Sequence, residues 1–313
     1  MGMPDSPRVP VETVNFHLWQ PCNMSCRFCF ATFRDVRRTV LPEGHLERAD
    51  AERVVAGLAE AGFTKLTFAG GEPLLCPWLA NLVTLAHRLG MVTSVVTNGS
   101  LLDEAALARF HGVLDWITVS VDSPRPQTLQ LLGRTTAGRA IGGDEYLALF
   151  RRIRELGFRL KMNTVVTAGN WREDMADFVI EARPERWKVF QALPVAGQNS
   201  GRVDPLLTTL EQFEDFVSRH LRVEPAGIRL IPEDNDVMTG SYAMVDPAGR
   251  FFDSVDSRGY TYSEPILRVG VHRAISQVRI SRVKFLVRGG LYDFTPEPEP
   301  VAGLLAADES GRM

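Results

Sequence analysis

The sequence is poor in cysteine, has no long apolar run and carries no excess of charge of either sign. Four cysteines in 313 residues, three of them between Cys22 and Cys29, cannot form the spread framework of a disulfide-stapled secreted chain. No run reaches the roughly 18 apolar residues that a transmembrane helix needs. The opening MGMPDSPRVPVETV is polar and has no signal-peptide core. A cytoplasmic, monomeric chain without membrane contact is therefore expected. Lys and Arg number 35 against 38 Asp and Glu, a net charge of −3, so no global basic field draws in nucleic acid. A local basic pocket stays open. Repeats and low-complexity blocks are missing from the body of the chain. What is present is 45% hydrophobic residues, enough for a large core.

Along the chain, short apolar runs alternate with segments of helical period. Strands are predicted over Val14–Trp19, Lys65–Ala69, Val92–Thr97, Trp116–Val121, Leu160–Val166 and Trp187–Leu193. Helices are predicted over Asp50–Gly62, Leu79–Leu89, Glu104–His111, Tyr146–Leu156, Glu173–Ala182 and Leu210–His220. Nearly continuous apolar strands such as ITVSV suit a parallel sheet buried on both faces. The reading is an α/β fold, a partial (β/α)6 barrel over residues 11–222. Right-handed crossovers then bring the C-terminal ends of the strands to one rim, where such barrels carry their chemistry. Residues 223–294 read as an extension that caps the active site, with a hairpin over Ser241–Val245 and Arg250–Asp253 and a short helix near Val271–Gln277. Residues 1–10 and 295–313 read as flexible ends.

Cys22, Cys26 and Cys29 form a C-x3-C-x2-C pattern directly after the first strand. Thiolates so arranged can hold three irons of a [4Fe–4S] cubane and leave the fourth iron open. The open position marks a catalytic site, by the logic that separates catalytic from structural zinc. The alternative is a structural zinc with His17 or His45 as fourth ligand. Cys76 stands alone and reads as a small apolar side chain.

These cysteines followed by Phe30, together with Gly70-Gly71-Glu72-Pro73 after the second strand, resemble the radical S-adenosylmethionine (SAM) superfamily. The segments VNFHLWQPCNMSCRFCF, TKLTFAGGEPLL, VVTNGSLL, SVDS, FRLKMNTVV, RWKVFQAL, PEDNDVMTGSY and FLVRGGLYDF extend the resemblance to the viperins, antiviral nucleotide-modifying enzymes, from about Val11 to Phe294. There are departures: Ala69 stands for a serine, the loop Phe33–Ala49 differs, and Ser254 stands for a cysteine. The amphipathic membrane helix of animal viperins is also missing. The match is to a soluble, microbial-type relative.

The resemblance implies a [4Fe–4S] cluster and SAM as cofactors and an electron donor such as a flavodoxin or ferredoxin. A reduced cluster cleaves SAM, and the resulting radical takes hydrogen from C4′ of a ribonucleoside triphosphate. Loss of water and one further reduction give a 3′-deoxy-3′,4′-didehydro nucleotide that terminates RNA chains. CTP is the base expected from the family, with UTP and GTP as alternatives. SAM is expected at Phe28, Gly70, Gly71, Glu72, Thr97, Asn98, Ser100, Ser120 and Asn163, with Glu72 on its ammonium. Without the resemblance, TNGS reads as a turn and Asn163 as a satisfied core amide.

A triphosphate carries about four negative charges and needs several cations. The candidates are Lys65, Lys161, Arg186, Lys188 and Arg288. Lys161 and Lys188 lie inside predicted strands, where an inward lysine is costly unless an anion meets it; otherwise each snorkels outward. Asn15, His17, Glu233 and Asn235 are candidates for the sugar and base, and Tyr242 for the final hydrogen donor. Read alone, His17 is a structural histidine, PEDND a polar loop and Tyr242 a buried hairpin residue. Two other functions stay in view: a radical SAM enzyme for a peptide or small metabolite, and a zinc-binding interaction module. No cysteine follows Cys76, which counts against the peptide-modifying enzymes that carry extra clusters.

Overall fold

The computed structural model describes residues 9–256 and 259–294. The expectations for residues 1–8 and 295–313 lie outside the described residues. Seven strands run parallel in chain order: β1 (Thr13–Trp19), β2 (Lys65–Gly70), β3 (Val92–Thr97), β4 (Trp116–Ser120), β5 (Arg159–Val166), β6 (Arg186–Gln191) and β7 (Arg229–Glu233). Three more, β8 (Ala243–Val245), β9 (Arg250–Asp253) and β10 (Thr261–Pro265), lie outside β1. The sheet order is β10-β9-β8-β1-β2-β3-β4-β5-β6-β7. Of the added strands, β8 is parallel to β1, whereas β9 and β10 are antiparallel to their neighbours.

The helices on the crossovers are α1 (Arg34–Thr39), α2 (Arg48–Glu60), α3 (Leu79–Arg88), α4 (Glu104–Phe110), α5 (Pro126–Leu132), α6 (Gly143–Glu155), α7 (Ala176–Ala182) and α8 (Leu210–His220). After β7 come α9 (Asn235–Met238), α10 (Ile266–Val269), α11 (Val271–Ile275) and α12 (Arg282–Val287). In α2 the buried Ala51, Val54, Val55 and Leu58 make one apolar stripe, and Gly62 at φ +94° follows its end. The α8 helix starts on a capping box of Thr209 and Gln212.

The outward residues of the strands (Val14, Phe16, Leu66, Phe68, Leu160, Met162, Trp187 and Val189) pack under the helices as the main core. Period-2 alternation then turns the intervening residues, much more polar, toward the barrel interior. Strand register sets Thr118 beside Lys161, Lys161 beside Arg186, and Asn163 beside Lys188. The result is an open, partly closed barrel. The residues after 222 extend the sheet: β7 lengthens one end, β8–β10 lengthen the other, and Tyr292 and Phe294 meet side chains at the strands' N-terminal end. Both β7 and the parallel pairing of β8 were absent from the sequence reading. Among the described residues, no helix is long and apolar enough to cross a membrane.

Candidate active site

One cavity of about 320 Å3 runs through the barrel from the cysteine loop to the C-terminal segment. Its upper end is built from loops that follow β1 to β4, and these are tied to one another by backbone contacts. The Gly71 N–H donates to the Trp19 carbonyl at 2.5 Å, and Glu72 N–H to Pro21 O at 2.9 Å. A Cβ on Gly70 would stand 2.3 Å from Trp19 O, and one on Gly71 2.3 Å from both Gln20 O and Pro21 O. The glycines are therefore needed first for the approach to the cysteine loop. Asn98 Nδ2 donates to Asn23 Oδ1 (2.8 Å), and Asn23 Nδ2 to Ser100 Oγ (2.9 Å), which fastens the same loop from the other side.

Glu72 is engaged within the protein. Its fully buried carboxylate accepts from Leu74 N–H (3.1 Å), Thr97 Oγ1 (2.7 Å) and Asn98 N–H (2.9 Å), and it does not line the cavity. Burial raises its pKa, and these three bonds pull it back. Glu72 ties the rim together through these bonds. Ser100 likewise spends its hydroxyl on Asn23 and lies outside the cavity wall. Phe28, Gly70, Gly71, Thr97, Asn98, Ser120 and Asn163 do line it. Asn163 Oδ1 is buried without a partner, and such an atom needs a ligand to be satisfied.

Cys22, Cys26 and Cys29 all line the upper cavity. Burial pushes the Cys22 thiol up to about 11 and that of Cys29 up to about 12, and raises Cys26 as well. A bound metal would have to displace these protons, as thiolate ligation requires. Among the described residues no three His, Cys, Asp or Glu side chains converge on a point that would hold a single metal ion. Three thiols on one short loop suit a cluster in which each meets a different iron. The two histidines considered as a fourth zinc ligand differ in their surroundings. His45 stacks on Trp19 with centroids 3.9 Å apart and its Nδ1 lies 2.9 Å from Leu46 O. His17 is edge-on to Phe30, Phe33 and Phe252, both its nitrogens are unpartnered, and burial lowers it to about 4, so it is neutral.

One charged group at this end escaped the sequence reading. Arg134, from the loop after α5, is buried and donates through Nε to Asp122, itself fully buried at the end of β4. Burial opposes its charge, but Asp122 and Cys26 hold it firmly protonated. Its guanidinium sits 5.6 Å from the Phe28 ring centroid, within electrostatic reach of all three thiols. The segment SVDS contains Asp122, but Arg134 lies in a loop that nothing in the sequence singles out.

The lower cavity gathers the predicted cations. Lys65, Lys161, Arg186, Lys188 and Arg288 all line it, together with Asn15. Tyr292, from the segment after α12, stands among them. Lys65 Nζ donates to its hydroxyl at 2.5 Å, Lys161 Nζ donates to the same oxygen, and the Arg186 guanidinium lies 3.9 Å from its ring centroid. Burial lowers Lys65 to about 7 and Lys161 well below its ordinary value. Lys188 pairs with the buried Glu233 and donates to the Tyr242 hydroxyl at 2.7 Å. Burial lowers Lys188 to about 8, against the pull of Glu233. The Tyr242 hydroxyl donates to Glu233 Oε2 at 2.5 Å, the Arg288 guanidinium lies 3.6 Å from its ring centroid, and burial keeps the phenol protonated.

Two expected substrate contacts are not at the surface of the cavity. Glu233 is fully buried and serves Lys188 and Tyr242. Asn235 opens α9, where its N–H reaches Gln191 Oε1 at 3.2 Å. Both were expected at the substrate from the resemblance, and Asn235 Oδ1 is buried without a hydrogen-bond partner.

A three-thiol loop beside a glycine-lined rim, above a ring of cations, narrows the family, and the comparisons decide it. The model of the radical SAM superfamily matches residues 19–181. A protein of Flammeovirga pacifica named S-adenosylmethionine-dependent nucleotide dehydratase is 48% identical over 284 residues, covering 91% of this chain and 96% of its own. The chain is a viperin-like member of the radical SAM superfamily. A namesake from Danio rerio is 35% identical, covering 92% of this chain and 79% of its own length. One from a Thermoplasmatales archaeon is 32% identical, with 90% and 96% covered. Among solved structures, anSMEcpe with bound AdoMet aligns at a TM-score of 0.66 and 14% identity over 88% of this chain and 82% of that one. Streptococcus suis SuiB bound to S-adenosylmethionine aligns at 0.60 and 17% over 77% and 59%. At these identities the likeness is one of fold, and it agrees with the partial barrel. Membership of the superfamily brings with it a [4Fe–4S] cluster and SAM, for which the three thiols, Arg134 and Asn163 Oδ1 are a fitting donor set.

Proposed function

We propose that this enzyme dehydrates a ribonucleoside triphosphate to its 3′-deoxy-3′,4′-didehydro form, with CTP as the expected substrate and RNA chain termination as the use of the product. The observation that carries the reading is the cluster of five basic side chains at the foot of the cavity whose top holds Cys22, Cys26 and Cys29. The relatives' names agree with it. Bound cluster and SAM supply the radical that abstracts hydrogen, and the protein's part is binding, orientation and shielding.

In this reading Arg134 takes the SAM carboxylate, while Asn163 and Ser120 meet its polar edges. Lys65, Lys161, Arg186, Lys188 and Arg288 hold the phosphates by charge-assisted hydrogen bonds. The Tyr292 hydroxyl, now held by Lys65 and Lys161, gives way to phosphate oxygens. Asn15 and neutral His17 face the ribose. Tyr242 supplies the closing reduction, and Glu233, already its hydrogen-bond acceptor, takes the proton. A reductant in the cytoplasm is required, and a low-potential flavodoxin or ferredoxin fits that role.

The test is anaerobic incubation with SAM, dithionite and CTP, UTP, GTP or ATP in turn. The expected result is 5′-deoxyadenosine formed with one triphosphate, and a product lighter by one water. SAM cleavage at background with all four would overturn the reading.

A further inference from the structure

The electron must enter somewhere, and the outer side of the cysteine loop has an unusual surface. Residues 22–40 carry Arg27, Arg34, Arg37 and Arg38 against Asp35 alone, a local charge of +3 in a chain of net −3. Arg34, Arg37 and Arg38 are exposed, and their side chains make no ion pair among the described residues. Arg202 joins them through its hydrogen bond to the Ser25 carbonyl (2.9 Å), and Arg27 reaches Leu131 O. Leu131, whose carbonyl Arg27 reaches, is 55% exposed.

The bland account is a solvated surface helix whose Arg37 and Arg38 complement the C-terminal dipole. It leaves three things unexplained. The inner side of α1 is pinned: Asp35 accepts from Tyr262 Oη (2.6 Å) and from Gln198 Nε2 (3.0 Å), and Val36 is fully buried. Gln198 Oε1 also takes the Phe33 N–H at 2.9 Å, so the arginines are held on a fixed base. Arg34 follows Cys29 by five residues, which keeps it within about 18 Å of that cysteine even for an extended chain. And the make-up, arginines in excess of acids in a chain of net negative charge, is that of a surface steered by electrostatics.

We propose that the basic surface carrying Arg27, Arg34, Arg37, Arg38 and Arg202, with the exposed Leu131 beside Arg27, docks an acidic protein that carries single electrons. The donor loses one electron and the site at the cysteine loop gains it. No other bond or proton changes. The proposal rests on the functional reading above only in needing a reducible site. Long-range attraction of this kind raises association rates and falls with ionic strength, since screening sets in over about 10 Å at 0.1 M salt.

The experiment uses a bacterial flavodoxin as probe and three reconstituted holoenzymes: wild type, R37E/R38E, and a control with the same charge change elsewhere, R151E/R183E. Arg151 and Arg183 are exposed on α6 and just beyond α7. For R37E/R38E the expected result is a loss of about tenfold or more in both flavodoxin affinity and flavodoxin-driven 5′-deoxyadenosine formation at low salt. Its salt dependence should be flatter, while dithionite-driven turnover stays at the wild-type level. The control should match wild type throughout. An unchanged flavodoxin rate, an equal loss in the control, or an equal loss with dithionite would each overturn the proposal. Failure of the functional reading shows separately, as wild-type enzyme that forms no 5′-deoxyadenosine with dithionite and any nucleotide, whatever its flavodoxin affinity.

Discussion

The two ends of the cavity are built on opposite plans. At the rim, the loops are tied to one another by paired polar groups: Glu72 with Thr97 and Asn98, Asn23 with Asn98 and Ser100, Asp122 with Arg134. At the foot, cations outnumber their partners, and burial has weakened the charge of Lys65, Lys161 and Lys188. The rim is preorganised to hold a cofactor in one geometry. The foot stores unfavourable like-charge contacts that an anion relieves. Geometry is fixed where the bond must be broken, and binding energy is collected where the substrate carries charge.

The contrast can be broken from either side. The largest effect is expected from Cys26→Ala, which should give colourless, iron-poor protein with no SAM cleavage, as measured by iron content and 5′-deoxyadenosine. Gly71→Ala comes next. Its Cβ would fall 2.3 Å from two carbonyl oxygens of the cysteine loop, so the loop must move. Overpacking of this kind costs about 1–3 kcal/mol, read as a lower melting temperature together with lost iron. Lys188→Ala acts on the other end. It should weaken nucleoside triphosphate binding by about 10–100-fold, as for a lost charge-assisted hydrogen bond of about 1.5–3 kcal/mol, and leave iron content intact. Loss of the cluster instead would make Lys188 a purely structural residue.

The smallest effect is in pH. Lys65 and Lys188 titrate at about 7 and about 8 in the free protein, and a bound polyphosphate favours their charged forms. Binding should therefore take up protons, and affinity should fall as pH rises from 7 to 9, by up to about tenfold per unit for each proton taken up. Calorimetry in buffers of different ionisation enthalpy measures that uptake. The nucleotide-free protein should show the reverse trend. Its lysines hold fewer protons folded than unfolded between pH 7 and 10, so its stability should rise over that range.

How much of this could be read in the sequence depended on whether a residue's partner lay nearby in the chain. The cysteine triplet and the two glycines carry their geometry in their spacing. Lys161 and Lys188 were legible because a lysine inside an apolar strand conflicts with its surroundings. Glu72 was visible after its two glycines, but only the fold shows Thr97 and Asn98 already bonded to it. The partners of Glu233, Lys188 and Tyr242, were hidden for the same reason. Arg134 and Tyr292 could not be found at all as site residues, since Asp122 and the lysines that explain them come from other strands. The strand Ala243–Val245, three residues long, is too short to display a period, so its parallel place beside β1 was hidden.

The central claim is that the foot of the cavity reads the triphosphate and so couples substrate charge to chemistry at the rim. It is tested most directly by comparing CTP with cytidine in the anaerobic SAM-cleavage assay at equal concentration. The account predicts 5′-deoxyadenosine well above background with CTP and background with cytidine. Equal cleavage with both would show that the cations do not select the substrate, and would contradict it.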